Sequence, residues 1–139
     1  MTAVSPEFLD TNVVVYAFSQ DPYNERALAL LSTGCTISVH VLNEFVNVAR
    51  RKLGMNWSEI DEALVSVRAV CPNVLPVDIE THSLAVRLAA RHGFAFFDAL
   101  MVAAARQGGC ETLWSEDMQD GSIIDGRLRI SNSFRERQG

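Results

Sequence analysis

The residues with the clearest chemical potential are acidic side chains that stand next to apolar segments. Asp98 comes directly before the apolar run 99–105, and Asp10 ends a short apolar run near the start of the chain. A carboxylate close to a buried segment should be paired, capped, protonated or bound to a cation, because an isolated buried charge is costly. The sequence therefore raises the question of whether several carboxylates share one cation.

Each of these acids also has a plain structural interpretation. Asp10 and Asp98 could cap helices, because Asp is favoured at helix N-termini, where it accepts hydrogen bonds from free backbone N–H groups. Asp117, in the acidic segment after residues 112–115, could be a solvated turn residue, and Asp120 precedes a glycine in a manner typical of turns. Taken one at a time, the residues leave both interpretations open.

Glu44 lies in a segment whose apolar side chains recur at helical spacing. Leu42, Phe45 and Val46 form an apolar stripe on the predicted helix, and Glu44 lies nearly opposite it, on the same face as His40. Such a face is commonly solvated and supported by weak local pairs. The alternative is that it borders a groove in which Glu44 faces a cation. The three histidines show no ligand spacing, and we expect them to be exposed or satisfied by hydrogen bonds.

The composition predicts a single globular domain spanning residues 1–139. Of the 139 residues 48% are hydrophobic, and the charges are well mixed, which is typical of a packed core rather than of disorder. No apolar run approaches the ~20 residues of a membrane span, and no signal peptide is recognisable. The three scattered cysteines lack metal-type spacing and indicate reduced thiols. We therefore expect a cytoplasmic protein that does not contact membranes.

Short predicted strands alternate with longer predicted helices. We predict strands at about 7–10, 36–38, 74–77 and 112–115, one or two weak strands at 123–130, and helices at about 12–19, 23–33, 39–53, 56–70, 78–91 and 98–107. This alternation predicts an α/β fold in which four to five short, mainly parallel strands are covered by helices on both faces. Ligands bind such sheets beyond the carboxyl ends of the strands, where Asp10, Asp98 and Asp117 should meet.

Several common functional classes do not fit this sequence. The net charge of −5 argues against nucleic-acid binding by electrostatic attraction alone, although bound divalent cations would reverse the local charge. There is no glycine-rich loop for phosphate or dinucleotide binding. Ser115 and the cysteines lack a histidine partner for nucleophilic catalysis. An aspartate phosphotransferase is disfavoured, because Asp10 has no second Asp two residues further on.

Four short motifs resemble, in their order along the chain, those of the PIN-domain ribonucleases, and most closely the VapC toxins of type II toxin–antitoxin pairs. The motifs are Asp10-Thr11-Asn12, Asn43-Glu44-Phe45, Phe97-Asp98-Ala99 and Ser115-Glu116-Asp117. The resemblance covers nearly the whole chain. It implies a compact α/β/α fold with an acidic pocket for Mg²⁺ or Mn²⁺ and RNA as the substrate. It also implies a homodimer that is neutralised by a small cognate antitoxin. Contact with DNA would be only indirect, through the antitoxin.

The resemblance also implies the roles of individual residues. The residues implied as catalytic and as metal ligands are Asp10, Glu44, Asp98 and Asp117, and the implied accessory residues are Asn12, Ser115 and Asp120. Glu116 is an alternative to Asp117 as the loop acid. His40 departs from the pattern, because close relatives are expected to carry glutamine there.

The implied reaction is hydrolysis of an RNA phosphodiester by a metal-activated water, which leaves a 3′-hydroxyl and a 5′-phosphate. One or two hard divalent cations, held by carboxylates and several waters, would suit this chemistry. The alternative is a PIN-like module that binds RNA or protein without cleavage. The complete set of four acids favours the enzyme.

Overall fold

The computed structural model describes residues 7–118, 120–132 and 134. The strands are β1 (Glu7–Leu9), β2 (Thr36–Ser38), β3 (Asn73–Leu75), β4 (Thr112–Trp114), β5 (Ile123–Ile124) and β6 (Leu128–Ser131). The helices are α1 (Thr11–Ala17), α2 (Asn24–Leu31), α3 (Val39–Arg51), α4 (Trp57–Val70), α5 (Ile79–His92) and α6 (Phe96–Gln107). Their order along the chain agrees with the prediction.

The strands form one sheet in the order β3-β2-β1-β4-β6-β5. The pairs from β3 to β6 are parallel, and β5 pairs antiparallel with β6. The predicted α/β class is confirmed, but the predicted count of four to five strands is too low, since the sheet has six. The weak C-terminal segment forms two strands, because Asp125 (φ 52°) and Gly126 (φ 71°) turn the chain between them.

Both faces of the central strands are covered. Successive side chains of a strand point to opposite faces, and Phe8 and Leu9 of β1 are both fully buried. All three residues of β2 are also buried. The predicted three-layer arrangement is therefore confirmed. Strand β3 is an edge strand, as expected of a segment that is followed by Pro76, which has no backbone N–H to donate to a neighbouring strand.

Side-chain caps define where several helices begin. Asn56 caps α4 and Asp78 caps α5, and each forms a reciprocal capping box with the third residue of its helix. Ser38 accepts a hydrogen bond from the Val41 amide at the start of α3. From the sequence, Asp78 is expected to cap α5 and either Asn56 or Ser58 to cap α4; the structure confirms Asp78 and selects Asn56. Such caps are predictable because capping depends on residues that are close together in the chain.

Helix α6 is the most deeply buried helix in the described part of the chain. Every residue in the run 99–105 is buried, as the apolar composition predicted. The helix packs against α5, α3 and β2. Its first turn, which carries Asp98, therefore has a rigid support.

No single helix in the described ranges is long and apolar enough to cross a membrane. The pair formed by α5 and α6 reaches the required length and composition only jointly, and the two helices are bent by 116° at their junction.

Candidate active site

Asp10 joins the end of β1 to the start of α1. It is only 5% exposed, and its two carboxylate oxygens accept hydrogen bonds from the Thr11 amide (2.7 Å) and from Ser115 Oγ (2.8 Å). Burial raises its pKa to about 6, although both hydrogen bonds oppose the change, and the nearby charges of Asp98 and Glu44 raise it further. Asp10 is thus a helix cap that also lies close to two other acids.

Asp98 is the third residue of α6, but it does not cap that helix. Ala95 occupies the N-cap position, and no side chain makes a capping hydrogen bond. The helix-cap interpretation of Asp98 is therefore wrong. Burial and the negative charges of Asp117 and Glu44 raise the pKa of the Asp98 carboxyl. This half-buried carboxylate lies among acids rather than among helix amides.

Glu44 flanks the buried stripe of α3 instead of lying opposite it. The fully buried residues are Val41, Phe45 and Ala49, so the centre of the stripe differs from the predicted one. Glu44 precedes Phe45 by one residue, which is about 100° around the helix. Its Oε1 accepts a hydrogen bond of 2.7 Å from Thr11 Oγ1. This contact ties the partly exposed Glu44 to the start of α1, and the local pair expected on this face is also present, since His40 Nε2 lies 3.7 Å from Glu44 Oε1.

The loop after β4 holds two neighbouring acids in different environments. Glu116 accepts a hydrogen bond from the Tyr16 hydroxyl (2.7 Å), and Asp117 accepts one from Asn12 Nδ2 (2.6 Å). Asp117 is also the loop acid whose charge raises the pKa of Asp98. Of the two loop acids, Asp117 is therefore the one whose charge affects an acid on another element, namely Asp98 of α6.

The three residues predicted as accessory divide into two groups. Asn12 and Ser115 each donate a hydrogen bond to one of the acids described above. Asp120 instead accepts a hydrogen bond from the backbone amide of Asn132, just beyond β6. The structure therefore joins Asn12 and Ser115 to the site, whereas this hydrogen bond of Asp120 stabilises the C-terminal part of the sheet.

Four carboxylates from four elements meet beyond the carboxyl ends of β1 and β4. We call them the acidic quartet: Asp10, Glu44, Asp98 and Asp117. Their mutual interactions raise the pKa values of Asp10 and Asp98. Within residues 7–118, 120–132 and 134, the arginine ion pairs involve Asp125 and no member of the quartet.

Comparison with models of known protein families identifies the family of this chain. The family model described as PIN domain matches residues 8–119, which includes every member of the quartet. The chain belongs to the PIN domain family. A comparison with curated protein sequences gives no match.

Solved structures of similar fold agree with this assignment. VapC20 of Mycobacterium tuberculosis, described as a Sarcin-Ricin loop cleaving toxin, has 23% identity and a TM-score of 0.63, covering 80% of this chain and 89% of that one. FitAB bound to an IR36 DNA fragment has 21% identity and a TM-score of 0.69, with coverages of 95% and 98%. VapBC2 of Rickettsia felis, bound to a promoter DNA fragment, has 21% identity and a TM-score of 0.64, with coverages of 91% and 97%. At these identities the likeness shows the fold.

The donors of the quartet fit a hard divalent cation by their chemistry. Carboxylate oxygens are preferred ligands of Mg²⁺, which commonly keeps several waters and uses only one or two carboxylates. Within the described part of this PIN domain, no group of three or more His, Cys, Asp or Glu side chains is arranged so that it could hold a metal ion as placed. The quartet therefore fits a cation through the chemistry of its donors, of which one or two carboxylates would hold the ion together with several waters.

Three residues that contact acids in or beside the quartet were given no role in the sequence analysis. Thr11 holds Glu44, Tyr16 holds the neighbouring loop acid, and His40 lies 3.7 Å from Glu44 through Nε2. Tyr16 follows Asn12 by four residues, so both lie on one face of α1. That spacing could have revealed Tyr16. The prediction for His40 was wrong, because its Nε2 is buried without a hydrogen-bond partner among the described residues.

Proposed function

We propose that this PIN domain is a metal-dependent endoribonuclease that acts as a toxin and is neutralised by a cognate antitoxin. The observation that carries the proposal is the acidic quartet, whose repulsion is relieved by no lysine or arginine ion pair in the described residues. Clustered carboxylates strongly disfavour one another's ionised forms unless a cation is present. The quartet is therefore suited to binding a cation from solution.

A bound Mg²⁺ or Mn²⁺ would supply Lewis acidity and a water of lowered pKa. The chain's own contribution is to hold the acids in place. Ser115 and the Thr11 amide orient Asp10, while the Thr11 hydroxyl orients Glu44 and Asn12 orients Asp117. The rigid helix α6 carries the fourth acid, Asp98.

The substrate and partners are proposed from similarity. Sequence motifs like those of PIN-domain ribonucleases support RNA, as does the likeness to a toxin described as cleaving the Sarcin-Ricin loop. A toxin–antitoxin complex from Klebsiella pneumoniae also has a similar fold, which supports a small antitoxin partner. We further propose a cytoplasmic homodimer that contacts DNA only through its antitoxin.

The proposal is tested by incubating wild type and Asp98→Asn with a structured RNA pool in Mg²⁺, in Mn²⁺ and in chelator. We expect cleavage by wild type in either metal, loss of cleavage in chelator, and a loss of about 100-fold or more in Asp98→Asn. Asp125→Asn is the matched control, because Asp125 pairs with Arg91 and Arg106 instead of facing the quartet.

Equal cleavage by Asp98→Asn, or cleavage that survives chelation, would overturn the mechanism. Metal binding without cleavage of any RNA would favour the non-cleaving binding module. The toxin role is tested separately by inducing the gene in cells. Growth should stop, and coexpression of the small protein encoded beside it should restore growth.

A further inference from the structure

Phe97 is a large apolar side chain that the fold leaves exposed beside the acidic quartet. Its exposed fraction is 60%, although the residues that follow Asp98 in the same helix are buried. Exposed single apolar residues are common on protein surfaces, so exposure alone decides nothing. What distinguishes Phe97 is where its ring lies and which side chain it stacks on.

The ring of Phe97 stacks on the imidazole of His40. The two ring centroids are 5.3 Å apart, and the planes are inclined by 29°. The His40 side chain is only 15% exposed, so the imidazole forms a fixed base beneath one face of Phe97. The ring of Phe96 also contacts Phe97, with centroids 6.1 Å apart and planes inclined by 55°, and Phe97 is still 60% exposed beside these two rings.

The stacked pair is tied to the quartet from two sides. Phe97 directly precedes Asp98 on α6, and His40 Nε2 lies 3.7 Å from Glu44 Oε1 on α3. A phosphodiester placed at the quartet would have its two flanking nucleotides close to this position. Exposed aromatic rings stack with nucleobases of any type, because each base has a π-face.

We propose that Phe97, supported from beneath by His40, is the platform on which a nucleobase next to the scissile phosphate stacks. The proposal rests on the proposed ribonuclease function and adds a substrate contact to it. Stacking fixes the strand beside the acids without reading a particular base. It also supplies binding that does not depend on positive charge, which suits a protein with a net charge of −5.

Binding is tested in an Asp10→Asn background, which keeps RNA intact, with single-stranded oligoribonucleotides of mixed sequence that carry 2-aminopurine. Fluorescence of 2-aminopurine falls when the base stacks on a ring. We expect Phe97→Leu to weaken binding on the order of tenfold and to abolish quenching, whereas Phe97→Trp should retain both. Trp57→Leu is the matched control, since Trp57 is similarly exposed (63%) and contacts Arg50 near the C-terminal end of α3, whereas the ring of Phe96 contacts Phe97 itself.

Cleavage kinetics provide the second measurement, with Asp10 restored. Phe97→Leu should raise KM on the order of tenfold with kcat nearly unchanged, because stacking binds the ground state and the transition state alike. Phe97→Trp should restore KM. Circular dichroism of each variant checks that the fold is intact.

The outcomes separate this inference from the proposed function. Cleavage by wild type with unchanged KM, affinity and quenching in Phe97→Leu would overturn the platform alone. Absence of cleavage together with Phe97-dependent RNA binding would overturn the nuclease and support the platform. Absence of RNA binding by every variant would overturn the platform. If Phe97→Leu converts a dimer into a monomer without changing RNA affinity, the ring belongs to a protein interface and the platform is wrong.

Discussion

The two ends of helix α6 differ in the charges that surround their carboxylates. Near its C-terminus, Arg106 Nε lies 2.9 Å from Asp125 Oδ2, and Arg91 of α5 lies 3.4 Å from the other oxygen of the same carboxylate. Near its N-terminus, Asp98 faces Glu44 and Asp117, whose charges raise its pKa. At the C-terminal end of α6, the Asp125 carboxylate therefore pairs with two arginines. At the N-terminal end, several carboxylates lie close together.

The helix dipole accounts for part of this difference. Cations are favoured at a helix C-terminus and anions at its N-terminus, but the dipole does not require several acids at one place. The chain has twelve lysine and arginine residues, so a shortage of cations does not explain the quartet. The fold retains uncompensated repulsion at one end of α6, which is typical of a site whose stability is reduced in favour of function.

The largest expected difference between the two ends is in cleavage. Asp10→Asn should reduce cleavage of RNA by about 100- to 1,000-fold, because it removes one charge from the preorganised site. Asp125→Asn makes the same chemical change at the other end of α6 and should leave cleavage unchanged. Single-turnover rates in Mg²⁺ measure both. Comparable losses in the two variants would show that the ends of α6 do not differ in function.

The second-largest expected difference between the two ends of α6 is in the pH dependence of stability. Asp10 has a pKa of about 6 in the folded protein and 3.8 as its ordinary value, so between these values the folded state binds more protons than the unfolded state. The free energy of unfolding should then fall as the pH rises, by roughly 3 kcal/mol for this group. The loss should be complete above about pH 6.

Urea unfolding between pH 4 and pH 7 in chelator measures this effect. Asp10→Asn should show a smaller decline than wild type, with the raised pKa of Asp98 accounting for what remains, whereas Asp125→Asn should retain the full decline. A decline of the same size in wild type and Asp10→Asn would mean that burial does not perturb Asp10 as described.

Metal addition should stabilise only proteins with an intact quartet. A Mg²⁺ concentration ten times its Kd should raise the free energy of unfolding of wild type by about 1.4 kcal/mol. Asp125→Asn should gain the same amount, and Asp98→Asn should gain much less. Unfolding curves with and without Mg²⁺ make the comparison. Full stabilisation of Asp98→Asn would remove Asp98 from the set of ligands.

The smallest expected effect is on stability without metal. Asp125→Asn should lower the free energy of unfolding by up to about 1 kcal/mol, because the pairs it breaks are partly exposed. Asp98→Asn should raise it, because the substitution removes repulsion from the quartet. Opposite signs in chelator would sharpen the contrast between the two ends, and equal signs would contradict it.

Features that depend on neighbouring residues could be predicted from the sequence. The caps at Asn56 and Asp78, the buried run 99–105 and the alternation of strands and helices all follow from local patterns. The order of the four motifs also predicted the PIN family correctly. The sequence pattern at 123–130 left one or two strands open, although Asp125-Gly126 is a strong local signal for a hairpin turn, and both residues have the positive φ that such a turn requires.

The sequence by itself determined which acids are present, the elements that carry them and the end of the sheet where they should meet. Only the tertiary structure decided their surroundings. Thr11 reaches Glu44 across 33 positions, and Asn12 reaches Asp117 across 105, and no local pattern encodes such pairings. The same holds for Phe97, whose support comes from His40 on another helix. Hydrogen bonds and stacking act over a few ångströms in space, so the packing of distant segments selects their partners.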